Sequence, residues 1–399
     1  MKKNLVKTLS VILLYLMCTV PVWASSAAEN AEQPVKQVEA GVEAPHAVLM
    51  EISTGAVLFE KDAHTASAPA SVTKIMTMLL IFDALEEGKI KLEDSVSVSE
   101  HAASMGGSQV FLEPNEKQTV DTMLKCIAIA SANDACVAMA EYISGSEEAF
   151  VAKMNERAKG LGMENTNFVN CNGLDAEGHV ASAYDIALMS RELLLKYPQV
   201  HEYCTTWMDT ITHTTSKGST EFGLSNTNKL IKQYEYCTGL KTGSTSNAGF
   251  CVSASAKKDD MELIAVVMNG DTSKSRFQDA KELLNCGYAN YMIYKDTGKE
   301  RNSLPEMEVR NGVKTKVELA YGGDFSTLLG NGENPSEVQK TLELPEWVQA
   351  PVAQGEKIGR LVYVYGEKKL GEIAVIAKET VEAAKYIDYV KRVWLAWMM

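Results

Sequence analysis

Residues 68–78 read "APASVTKIMTM", and the reading of Ser71 and Lys74 in this stretch decides what kind of protein the chain is. Pro69 and Ser71 are ordinary N-terminal helix signals, and Val72, Ile75, Met76, Leu79 and Leu80 then recur at helical spacing. A capped core helix accounts for all of that. A serine three residues before a lysine is also common, and a chain of this length carries about one or two examples by chance. This chain has a second one, "SAKK" at Ser255–Lys258. Context separates the two: Ser255 lies in a strand pattern, where residues three apart point to opposite faces, whereas Ser71 and Lys74 share a helix face.

Two further motifs follow in order, "SAND" at Ser131–Asp134 and "KTGS" at Lys241–Ser244. Each is weak alone, and "SAND" at a helix junction could be a simple cap. Together they specify chemistry. A serine hydroxyl is a poor nucleophile unless a neighbouring base takes its proton, and no histidine is placed to do so. Lys74 can serve if it is neutral, and burial, the positive end of its helix and the charge of Lys241 would all lower its pKa. Ser71, in the first turn, has backbone N–H groups around it for a developing oxyanion, and the backbone N–H of Ser244 would be the second donor. Gly243 leaves a strand edge open to substrate. Ser131 would relay a proton between the lysines and a leaving amine, Asn133 would orient Lys74 or a substrate amide, and Lys241 and Thr242 would grip a carboxylate. The trio implies an acyl-serine on a substrate with a free terminal carboxylate.

Outward from these motifs, "HAVLMEISTGAVLFEKDAHTASAPAS" predicts strands over 46–52 and 55–60, leading directly into the Ser71 helix. Helical patterns follow at 117–131, 133–143, 147–161 and 182–196. A second strand group spans 235–270, with a hairpin through Lys257–Asp260, and an amphipathic helix covers 274–292. Strands, a helical block, strands and a helix predict an α/β (α+β) domain over 45–292, an antiparallel sheet flanked by helices. Short alternating segments broken by Gly, Pro and Asn predict a small all-β domain over 297–378.

The two ends carry targeting signals. Lys2, Lys3 and Lys7 precede an apolar run from Leu9 to Val20 and small residues at Ala24 and Ala27, the pattern of a signal peptide over 1–24, with cleavage as late as 28. Residues 25–44 are polar and Glu-rich, a flexible lead-in. Over 380–399, Ala383, Ile387, Val390, Trp394 and Trp397 share one helical face with charges elsewhere. This predicts a helix lying in a membrane interface, with a helix docked on protein as the other reading. A formal charge of −13 excludes nucleic-acid binding, which needs a basic face. Seven cysteines remain after Cys18, without CxxC pairing, and the six histidines form no ligand pair. The cysteines read mostly as small buried hydrophobes, and neither a metal nor another cofactor is expected.

With Ser-x-x-Lys, Ser-x-Asn and Lys-Thr-Gly in this order, the sequence resembles the serine D-alanyl-D-alanine carboxypeptidases, the low-molecular-mass penicillin-binding proteins. The segments "LMEISTGAVLFEKDAHTASAPASVTKIMT", "SANDACVAMAEYISG", "FVAKMNERAKGLGMENTNFVNCNGLD" and "KTGSTSNAGFCVSASA" carry the likeness over about 45–290. The resemblance implies the penicillin-binding/β-lactamase-like fold. It also implies removal of the terminal D-alanine from peptidoglycan stem pentapeptides, inhibition by β-lactams, and attachment to the outer face of the cytoplasmic membrane. By position it gives Arg276 a share in holding the substrate carboxylate, the alternative being a surface salt bridge. An endopeptidase acting on D-Ala cross-links is the nearest rival. A β-lactamase would need a water-activating glutamate, for which Glu164 is the one candidate. A non-catalytic wall-binding or β-lactam-sensing protein would have no need of a full proton relay.

Overall fold

The computed structural model describes residues 37–216, 218–299 and 301–398; the expected signal peptide lies outside them. The chain forms two compact units, residues 37–295 with 326–337, and residues 296–325 with 338–398.

In the first unit β1 (His46–Glu51) and β2 (Val57–Lys61) lead through a 3₁₀ turn, Ala70–Thr73, into α1 (Lys74–Glu86). A short pair of β3 (Ser95–Ser97) and β4 (Lys117–Thr119), with α2 (Glu100–Ala103) between them in the chain, opens the helical block of α3 (Val120–Ala128), α4 (Asn133–Ser144), α5 (Glu147–Gly160), α6 (Ala183–Lys196) and α7 (Val200–Thr205). A hairpin of β5 (Met208–Thr215) and β6 (Gly218–Ser225) and a turn of helix, α8 (Leu230–Gln233), precede β7 (Cys237–Thr245), β8 (Gly249–Lys258), β9 (Met261–Gly270) and α9 (Ser273–Asn290). The main sheet is antiparallel, in the order β2-β1-β9-β8-β7.

This sheet is buried on both faces, so its central strands read as continuous apolar runs. Alternate residues enter different cores. Val48 and Met50 of β1, with Ile264, Val266 and Met268 of β9, join α1, α3, α4 and α6. Ala47 and Leu49, with Leu263, Ala265 and Val267, pack with Phe277, Leu283 and Leu284 of α9. The one edge that concerns function is β7, which has a strand partner on one side only.

Four expectations need correction. The helix predicted over 117–131 begins at Val120, because Lys117–Thr119 pairs with β3 and the Thr119 side chain caps the helix by accepting from Thr122 N–H. Residues 37–44 are packed, not a flexible lead-in: Val38, Val42 and Ala44 are buried in the α9-side core, and the Asp279 carboxylate accepts from the N–H groups of Glu43 and Ala44. Ser71 is not a cap; it lies in the 3₁₀ turn, whose start has no side-chain cap. The terminal helix, α10 (Tyr386–Met398), starts later than residue 380, because Val381 is buried in the second unit's core and bridges Val352. The β5–β6 hairpin had no counterpart in the sequence reading.

The second unit is all-β up to that helix. A four-stranded sheet orders Leu319–Tyr321, Lys368–Ala377, Lys357–Tyr365 and Gln339–Glu343, and a three-stranded sheet holds Met307–Arg310 at its centre. Met307, Val309, Val317, Leu319, Val375 and Val381 fill the space enclosed.

Candidate active site

The 3₁₀ turn sets Ser71 half-buried at the foot of α1, and Lys74, the first residue of that helix, is fully buried. Lys74 Nζ lies 3.0 Å from Ser71 Oγ, 2.7 Å from Asn133 Oδ1 and 2.5 Å from the Asn172 carbonyl oxygen. Asn133 is held in turn, its Nδ2 donating to the Gly106 carbonyl and its backbone N–H to that of Ser108. This fixes which amide atom faces Lys74. Burial lowers the Lys74 pKa, with the Cys136 and Cys171 thiols and Asp134 opposing the shift.

The partners themselves say what a neutral Lys74 can do. A neutral amine has two N–H donors and one lone pair. Asn133 Oδ1 and the Asn172 carbonyl can only accept, so they take both donors. Ser71 Oγ is the one neighbour that can donate, and its hydroxyl proton then points at the lone pair.

Ser131 occupies the bend between α3 and α4 with φ 63°, a left-handed conformation unusual outside glycine and a common mark of functional sites. Lys241 Nζ, fully buried in β7, donates to Ser131 Oγ at 2.9 Å and to the Thr242 carbonyl at 3.0 Å. Burial, with the charges of Lys74 and Arg276 adding to it and the Cys136 and Cys204 thiols opposing, brings its pKa down to about 7. Thr242 Oγ1 donates to Thr227 Oγ1 at 2.7 Å. Gly243 has a stricter role than an open edge: a Cβ there would lie 2.8 Å from the backbone N of Ser71 and 3.0 Å from that of Val72. Ser244 follows, exposed on the edge strand.

Arg276 on α9 is buried, so it is no surface salt-bridge residue. Its Nη1 donates to the carbonyls of Gly243 (2.8 Å) and Cys251 (3.1 Å), bracing β7 from behind. Its Nε is buried without a hydrogen-bond partner among the described residues, and burial lowers its pKa to about 10. Glu164 is exposed.

Sequence reasoning missed Asn172 as a Lys74 partner, since a backbone carbonyl leaves no side-chain signature. It also missed Thr227, and Asp134, whose buried carboxylate accepts from Val110 and Leu112 N–H and holds the loop beside Asn133. Seven cysteines are free among the described residues, five of them buried, and no group of three His, Cys, Asp or Glu is placed to hold a metal there.

The chain matches two known families in tandem. Residues 29–272 match the D-alanyl-D-alanine carboxypeptidase family, and residues 298–383 match the C-terminal domain of penicillin-binding protein 5. It is 46% identical over 355 residues to the D-alanyl-D-alanine carboxypeptidase DacF of Bacillus subtilis, covering 89% of this chain and 90% of that one. It is 33% identical to DacC of Escherichia coli, over 91% and 89%. Among solved structures, penicillin-binding protein 5 from Haemophilus influenzae superposes with a TM-score of 0.74 at 32% identity, over 86% of this chain and 98% of that one. Penicillin-binding protein D2 from Listeria monocytogenes, in its ampicillin-bound form, superposes with a TM-score of 0.55 at 28% identity, over 62% and 98%. The chain belongs to the D-alanyl-D-alanine carboxypeptidase family, built on the penicillin-binding fold.

Proposed function

We propose that this chain removes the terminal D-alanine from peptidoglycan stem pentapeptides through an acyl-Ser71 intermediate. The observation that carries the reading is the Lys74 triad of contacts, in which, among the described residues, Ser71 is the only hydroxyl able to give Lys74 a proton. Lys74 takes that proton as Ser71 Oγ attacks the carbonyl carbon of the D-Ala–D-Ala amide. The backbone N–H groups of Ser71 and Ser244 receive the oxyanion. Ser131, tied to Lys241, passes a proton to the departing D-alanine nitrogen, the C–N bond breaks, and water then hydrolyses the ester. Lys241 and Thr242 hold the terminal carboxylate, while Arg276 steadies Gly243 and adds positive field behind it. A β-lactam presents the same amide in a ring, so its leaving group stays attached and the acyl-enzyme persists.

Export and membrane attachment belong to the same reading. Tyr386, Tyr389, Val390, Val393, Trp394 and Trp397 line one open apolar face of α10, suited to the lipid interface outside the cell. No helix among the described residues is long and apolar enough to cross a membrane.

The test is D-alanine release from a pentapeptide measured beside labelled-penicillin uptake, in wild type and Ser71→Ala. Both signals are expected in the wild type and neither in the variant; label retained by the variant would place the nucleophile elsewhere. Adding a cross-linked dimer as substrate separates endopeptidase action, and rapid release of hydrolysed penicillin would mark a β-lactamase.

A further inference from the structure

His179 is buried and takes no part in the proton relay. Its Nδ1 faces two backbone donors, the N–H groups of Val169 at 3.0 Å and Asn170 at 3.4 Å. Nδ1 must therefore carry the lone pair, and the proton sits on Nε2. That Nε2–H donates to Thr73 Oγ1 at 2.9 Å, and Thr73 stands between Ser71 and Lys74 in the catalytic turn. Protonating the ring would set an Nδ1–H against two N–H donors. Burial already holds the imidazole neutral, down to about 4, with Asp175 opposing and Lys74 reinforcing the shift.

The loop that His179 closes is the one that meets Lys74. Asn167 and Val180 pair across its base. Within it, Asn170 Oδ1 accepts from Gly173 N–H, the Cys171 carbonyl accepts from Thr77 Oγ1, and the Asn172 carbonyl accepts from Lys74 Nζ. Gly173 presses on the turn itself, since a Cβ there would fall 1.9 Å from the Ala70 carbonyl oxygen. His179 is the side chain that joins the loop's own amides to the turn bearing the nucleophile.

We propose that His179 is a positioning residue for the reaction: gripping the loop through Nδ1 and Thr73 through Nε2–H, it holds the Asn172 carbonyl against Lys74 and so keeps the amine's lone pair on Ser71. The proposal rests on Lys74 acting as the base. A base displaced by even about 1 Å can cost up to about 100-fold in rate, so the contact matters without touching substrate.

Three variants test it. Thr73→Val removes the acceptor at constant shape, His179→Asn keeps an acceptor near the Nδ1 position and loses the donor, and His179→Gln keeps a donor near the Nε2 position. Labelled penicillin is used both to titrate active sites and to measure acylation. Thr73→Val and His179→Asn are expected to lower the acylation rate per titrated site about 10-fold with little change in noncovalent affinity, the double variant being no slower than either. His179→Gln is expected to recover much of the rate. A merely structural role would lower the titrated fraction and leave the rate per site alone; rates within twofold of wild type for Thr73→Val would overturn the proposal, whether or not the His179 variants fold. Failure of the underlying reading looks different: Lys74→Ala acylating at the wild-type rate would remove Lys74 as the base whatever His179 does.

Discussion

Lys241 Nζ, buried in an edge strand, donates at 2.9 Å to the hydroxyl of Ser131, which lies 110 residues earlier in a left-handed bend. Neither residue could hold this position for stability's sake. A buried lysine costs free energy unless its charge is neutralised or well paired, and Ser131 adds backbone strain. The pair therefore marks a place where the fold gives up stability to hold a charge beside a hydroxyl.

Lys241→Met should accordingly raise thermal stability and abolish D-alanine release. The sign follows from the lowered pKa of about 7. In the unfolded chain the lysine keeps its proton up to its ordinary range near 10.5. The buried charge thus costs most below pH 7, and the cost fades as pH rises from about 7 toward 10.5. The variant's advantage, on the order of 1–3 kcal/mol after the orphaned Ser131 hydroxyl is counted, should be largest at pH 6 and shrink by pH 9. Melting curves at both pH values check this; an advantage that grows with pH would mean that the fold raises the Lys241 pKa instead of lowering it.

Asn133→Asp tests the protonation state of Lys74. The substitution sets a carboxylate where Oδ1 lies 2.7 Å from Nζ, and a neighbouring negative charge raises an amine's pKa. Lys74 then keeps its proton to higher pH, so acylation at pH 7 is expected to fall by about 10- to 100-fold. The acid limb of the rate profile should move up by at least one pH unit, with partial recovery at pH 9. A uniform loss at every pH would show that Asn133 serves the substrate and not the base.

Two glycines around the Ser71 turn should fail in different ways. At Gly243 an added methyl meets the backbone of Ser71 and Val72 at 2.8 and 3.0 Å, so Gly243→Ala pushes apart the strand edge and the turn. Acylation should drop more than about 100-fold, since reacting groups are misplaced, with a smaller loss in stability than at Gly173. At Gly173 the methyl would overlap the Ala70 carbonyl, and φ of 88° disfavours any side chain. Gly173→Ala should therefore cost several kcal/mol, on the order of 2–4, and lower the fraction of titratable sites. Equal effects on stability from the two variants would contradict this division.

What could be read from the sequence follows a physical divide. The sheet strands were legible because Leu49, Val266 and their neighbours fill cores on both faces, leaving unbroken apolar runs. Ser71, Lys74, Ser131 and Lys241 were legible because their chemistry resides in side chains at recognisable spacing. The Asn172 carbonyl, and the Cβ-free approach of Gly243 to the Ser71 amide, are backbone contacts between segments far apart in the chain, and such contacts leave no local pattern. The β5–β6 hairpin was missed because its Thr-rich strands bury little beyond Ile211, His213 and Leu224, too few for a clear alternation. Residues 37–44 looked disordered by composition, yet Asp279 and the α9-side core hold them through a few well-placed contacts that composition does not register.

The helix α10 carries the last expectation. Trp394 and Trp397 are 60% and 84% exposed, and Tyr386 and Val393 stand on the same open face. Aromatic rings of this kind prefer the headgroup level of a bilayer, where the ring is desolvated and its polar atom stays wet. Asp388, Lys391 and Arg392 make a spanning arrangement unfavourable. The chain should therefore sediment with phospholipid vesicles, and Trp394→Glu with Trp397→Glu should weaken that binding by at least about 10-fold. Penicillin acylation measured without lipid should stay unchanged, because Ser71 and Lys74 lie in the other unit. Retained vesicle binding in the double variant would move attachment to another surface. Altered acylation without lipid would instead favour the reading in which the helix docks on protein.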